Sequence, residues 1–168
     1  MKHLHKKGER ILALDPMTRD LGFAVLEGER LVGWGVRSLR RTKTTTTVVA
    51  RLLLDYRPTI VALAAHRSHR NRLRRQALGK FAHEIRTVVT SPTIQVRRVS
   101  AMKLRQRLKH DGLRTKHDMA TMLSKEYPEL RSWLPAKRLF YEKEDPHFAV
   151  FDALMLAKFG ALEVDHNG

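Results

Sequence analysis

Short apolar runs, closed off by Gly, Pro and charged residues, dominate the first 65 positions. Ile11-Leu12-Ala13-Leu14 and Phe23-Ala24-Val25-Leu26 are too short for stable helices, and their flanks suit buried strands. Glu27-Gly28-Glu29 reads as a hairpin turn into a third antiparallel strand, Leu31–Val36, whose glycines allow a bulge or a close approach. The pattern then changes period. Val48, Val49, Leu52, Leu53 and Tyr56 recur at helical spacing within 42–56, and Arg57-Pro58 ends that helix. Residues 59–64 (TIVALA) return to strand character, 76–90 to helix, and 93–99 (TIQVRRV) to strand. Helices follow over 101–108 and 116–126, separated by Gly112, and a strongly apolar final helix over 146–162. Three strands, then alternating strands and helices, predict an α/β fold: a mixed five-stranded sheet with helices on both faces. The pattern predicts one domain over 1–168, with 1–9 and 163–168 as loose tails.

Charge adds a partner to this frame. The 168 residues hold 33 Lys+Arg against 17 Asp+Glu, a formal net charge of +16. Such an excess points to a polyanion, with nucleic acid ahead of a membrane surface. No apolar run approaches the ~20 residues of a membrane span. There are no cysteines, which excludes disulfides, thiolate zinc sites and a Cys nucleophile, and which fits a cytoplasmic setting. Residues 66–75, HRSHRNRLRR, place five Arg and two His in ten positions directly after the fourth strand. Such a run can be a solvated face. Arg67, Arg70, Arg72, Arg74 and Arg75 are read instead as phosphate contacts, because guanidinium binds phosphate bidentately. Lys103, Arg105, Arg107 and Lys116 extend the basic set. Few aromatics accompany them, so backbone and shape readout is expected rather than base readout.

The candidate chemistry lies in a few carboxylates. Asp15 closes the first apolar run, where it can either cap the following turn or hold a hard divalent cation. Asp152 is isolated in an apolar helix, and a charge there is costly unless it is paired or bound to a metal. Asp145, two turns earlier, shares the Asp152 face if the helix runs through both. It also stands before Pro146, an arrangement favourable for an N-cap followed by Pro at the first helical position. The axial offset of ~10 Å is long for two groups sharing one ion. His147 lies off that face and is read as a surface or phosphate-contacting residue.

Taken in order, these stretches resemble a known family. Asp15-Pro16-x-Thr18-Arg19-x-x-Gly22-x-Ala24-Val25 resembles the first strands of RuvC-like Holliday junction resolvases, members of the ribonuclease H-like superfamily. Residues 148–157, FAVFDALMLA, resemble that family's final helix, with Asp152 at its last catalytic acid. IVALA resembles the strand that ends in a catalytic Glu. The resemblance implies a homodimeric, nucleoid-associated endodeoxyribonuclease that resolves four-way DNA junctions. It also implies catalytic Asp15, Asp152 and Asp145 holding two Mg²⁺ or Mn²⁺ ions, ~4 Å apart, from four acidic groups. Two departures stand out. The acid one turn before the last Asp is replaced here by Ala149, which leaves Asp145 as the candidate and Glu144 as its fallback. The expected Glu is replaced by Ala64, which implies either a degenerate site or an engineered inactive variant, and in both cases a weakened or inactive centre. Two other readings stay open: a non-catalytic branched-DNA-binding protein, and a YqgF-like nuclease acting on structured RNA.

Overall fold

The computed structural model describes residues 8–39, 44–65, 72–137 and 144–160. Arg67 and Arg70 of the basic run lie outside them, as do residues 1–7 and 163–168 of the expected tails. Strands β1 (Arg10–Pro16), β2 (Asp20–Glu27) and β3 (Arg30–Ser38) form an antiparallel meander. Helix α1 (Thr45–Tyr56) crosses to β4 (Ile60–Ala64), and α2 (Arg72–Val88) crosses to β5 (Gln95–Val99). Both crossovers give parallel pairs, so the sheet order is β3-β2-β1-β4-β5. Helices α3 (Ala101–His110) and α4 (Lys116–Glu126), a 3₁₀ turn at Pro128–Trp133 and α5 (Phe148–Gly160) complete the fold. The expected α/β class and mixed five-stranded sheet are present, with helices on both faces.

Strand alternation divides the core into two layers. Leu12, Leu14, Phe23, Val25, Val61 and Leu63 face α1 and α2. Ile11, Ala13, Ala24, Leu26, Ile60 and Ala62 face α4 and α5. α5 is buried almost all round, which explains its nearly unbroken apolar sequence. It comes very close to the sheet. A Cβ added at Gly22 would lie 2.4 Å from the Ala149 Cβ and 2.5 Å from its carbonyl oxygen. Gly22 is the strand partner of Asp15, so this contact sits beside the candidate site. Across the sheet, Gly33 leaves the space that the Tyr56 ring fills, and that ring tilts against Phe23 at 5.9 Å.

Three boundaries differ from the pattern-based reading. α2 begins at Arg72, which puts Arg72, Arg74 and Arg75 in its first turn rather than ahead of the helix. The short 3₁₀ turn buries Leu130 and leaves no periodicity in the sequence. α5 begins at Phe148 instead of residue 146, because Asp145–His147 form a turn whose carbonyls accept from the N–H groups three residues on. Among the described residues, no helix is long and apolar enough to cross a membrane.

Candidate functional site: a carboxylate cleft with a lysine at its centre

Parity brings the site together. Asp15 has the same alternation as Ile11 and Ala13, and Ala64 the same as Ile60 and Ala62, so both belong to the α5 face. β1 and β4 run parallel with Leu14 beside Leu63, so Asp15 and Ala64 emerge together at their carboxyl ends. Open α/β sheets offer ligand crevices at such ends. Asp152, one turn beyond Phe148 on α5, lines the same cavity of about 290 Å³. A second, more open cavity meets it at Asp15, Arg74, Arg105 and Lys116, and adds Arg19 and Glu144.

The turn after β1 is closed by main chain, Met17 N–H donating to the Asp20 carbonyl at 2.8 Å. The Asp15 side chain is largely enclosed, and its Oδ1 lies 3.6 Å from Arg74 Nη2. Arg74 is held in turn by its Nη1, which donates to the Pro16 carbonyl at 2.7 Å. Burial raises the Asp15 pKa from an ordinary 3.8 to about 7. The charge of Asp152 adds to that rise, and the Arg74 and Lys116 cations oppose it. Asp152 is also pushed up by burial, against the pull of Lys116.

Lys116 makes contacts that its charge alone does not predict. The sequence groups it with the phosphate-binding cations, yet its Nζ donates to Asp152 Oδ2 at 2.7 Å and also to the Glu144 carboxylate. Burial pulls its pKa down, but the Asp152 charge and the hydrogen bonds to both carboxylates outweigh that and raise it. The base of the side chain is fixed by a capping box. Thr115 Oγ1 accepts from Asp118 N–H at 3.0 Å, and Asp118 Oδ2 accepts from Thr115 N–H at 2.9 Å. Lys116 is the first residue of the helix so capped.

The expectation for Asp145 is corrected by the late start of α5. Asp145 lies before the helix and shares no helical face with Asp152. Its Oδ1 accepts from His147 N–H at 2.9 Å and lies 3.3 Å from His147 Nδ1. The His147 ring packs edge-on against Trp133 at 4.7 Å. Glu144 is instead the acid that reaches the cleft.

Cations rim the opening. Arg74 and Arg105 line both cavities, and Lys109 and Arg114 line the first. Arg19, in the turn after β1, enters the sequence reading only as part of the first motif and also belongs to this rim. Lys103 and Arg107 are exposed on the same helix as Arg105, and Arg72 and Arg75 are exposed beside Arg74.

Two-ion hydrolysis needs several oxygen ligands converging on the cations. The described residues do not fit that demand. Ala64 supplies a methyl group where the resemblance leads one to expect a carboxylate, and the Lys116 ammonium takes up two of the three acids described at the cleft, Asp152 and Glu144. Among the described residues, no three acidic or imidazole side chains gather at a spacing able to hold a metal ion.

Comparison with known proteins agrees on the fold. No family model matches the chain, and no curated protein matches it significantly. Solved structures do. Thermus thermophilus RuvC bound to a Holliday junction substrate superposes with a TM-score of 0.60 at 20% identity, covering 88% of this chain and 90% of that one. Thermus thermophilus RuvC in a second structure gives 0.57 at 19% identity, over 88% and 90% of the two chains. The Fowlpox virus resolvase, in complex with its Holliday junction DNA, gives 0.52 at 13% identity, over 92% and 99%. The chain therefore shares the α/β fold of these structures.

Proposed function

We propose that this protein recognises four-way DNA junctions as a homodimer, and that it is a resolvase-like nuclease by descent whose own cutting is slow or absent. The observation that carries the reading is the cation-rimmed cleft at the ends of β1 and β4, which holds Asp15 and Asp152. A net charge of +16 supplies the long-range attraction to a polyanion. The fold is shared with proteins solved on Holliday junctions, which supports a branched rather than a linear partner. Phosphate contacts from Arg72, Arg74, Arg75, Lys103, Arg105 and Arg107 would position the DNA without reading its sequence. A complete centre of this kind uses Mg²⁺ or Mn²⁺ to activate water and stabilise the leaving oxygen. Ala64 and Lys116 favour the non-cutting version here.

The test compares a four-way junction with linear duplex of equal length, in chelator and in Mg²⁺ or Mn²⁺. The expected result is junction binding at least about tenfold tighter than duplex binding, with little or no product. Equal affinity for the two DNAs rejects junction recognition. Rapid symmetric cleavage by the unmodified chain rejects the non-cutting assignment.

A further inference from the structure

The carboxylates of the cleft already have a cation. Lys116 Nζ lies 2.7 Å from Asp152 Oδ2 and is also bonded to the Glu144 carboxylate. Its backbone is fixed at the first residue of α4 by the Thr115–Asp118 capping box, so the ammonium is delivered from a rigid base. Arg74 supplies a second positive charge, 3.6 Å from Asp15. A divalent ion coordinated by Asp152 would sit at ~2.1 Å from the same oxygen. It would then face the ammonium across that atom, with both charges positive. Ala64, on the adjoining strand end, gives such an ion no carboxylate in compensation.

We propose that the Lys116 ammonium is the resident cation of this centre and stands there in place of a divalent ion. The proposal stands apart from the junction reading above; only the phosphate contact described next rests on it. An ammonium has three donors, and two meet carboxylates. Lys116 lines both cavities, so the third can meet a phosphate oxygen entering either one. Arg74, Arg105 and Lys116, common to both cavities, then form a phosphate-binding set that needs no metal bridge.

Two measurements on the intact chain test this. The first follows free Mn²⁺ by electron paramagnetic resonance. The unmodified protein is expected to take up no Mn²⁺ at concentrations near ~1 mM, the weak end of protein oxygen sites. The double variant Ala64→Glu with Lys116→Met is expected to bind it. The second measures DNA affinity in chelator and in Mg²⁺, expected to agree within about twofold for the unmodified chain. Lys116→Met is expected to lose about tenfold in chelator and to regain it with Mg²⁺, while Lys116→Arg behaves as the parent. Sub-millimolar Mn²⁺ uptake by the unmodified protein, abolished by Asp152→Asn, overturns the proposal. So does an affinity that requires Mg²⁺. Should the lysine variants fail to fold, the Mn²⁺ measurement on the unmodified chain decides alone. Loss of junction preference in both buffers would reject the junction reading, and the Mn²⁺ measurement would still judge the resident cation.

Discussion

Replacing Asp15 by Asn should stabilise the protein at neutral and alkaline pH and leave it nearly unchanged near pH 4. The Asp15 carboxyl is enclosed beside Asp152, and its pKa rises from 3.8 to about 7. The folded chain thus holds this proton more tightly than the unfolded chain. The resulting stabilisation is fully present below the unfolded value, near pH 4, and is lost progressively until pH passes about 7. A rise of that size corresponds to at most ~4 kcal/mol, at about 1.4 kcal/mol for each tenfold change in proton affinity. Asp152 titrates with Asp15 and carries part of the effect, so about 2–4 kcal/mol is expected for the single variant. Urea unfolding in chelator, from pH 4 to 8.5, gives the difference between Asp15→Asn and the parent. The excess of basic residues destabilises both chains alike as pH falls and cancels in that difference. The expected result is a gap of about 0.5 kcal/mol or less at pH 4 that widens up to neutrality and is level by pH 8.5. A gap independent of pH, or a variant less stable than the parent at pH 8.5, would refute the burial argument.

Gly22→Ala should cost about 3 kcal/mol or more of unfolding free energy, because its methyl would meet the Ala149 main chain as well as its side chain. Adding Ala149→Gly should recover only a minor part, since the carbonyl at 2.5 Å remains; full rescue in a denaturant titration would contradict the packing described. The double substitution Arg105→Ala with Lys109→Ala should weaken DNA binding uniformly across sequences. It should also reduce the slope of log affinity against log salt by about 2, and an unchanged slope would remove these side chains from the interface.

The sheet is legible in the sequence because it rests on local periodicity, whereas the grouping of Asp15 with Ala64 and Asp152 comes from the family resemblance and is explained only by the structure. Residues of equal parity on adjacent parallel strands must reach the same face, and α5 is the only long apolar segment in the sequence able to cover it. The carboxylate contacts of Lys116 are not legible in the sequence. Its carboxylate partners lie 28 and 36 residues away, and no spacing rule connects an exposed helix start to a helix so distant. In the sequence it is one basic residue among 33. The exchange of Asp145 for Glu144 has a different cause. Where a helix begins is poorly set by composition, and a turn at Pro146-His147 moves the start by two residues. That shift removes the face Asp145 was to share and leaves Glu144 beside Lys116.

The Gly22–Ala149 contact has a consequence for how such a protein changes over evolutionary time. Backbone meets backbone there, so the separation of the sheet and α5 does not depend on which side chains line the cleft beside it. Side chains at the cleft can change one by one without the frame recording the change. A carboxylate placed at the end of β4 would meet Asp15 and Asp152 lining the same cavity.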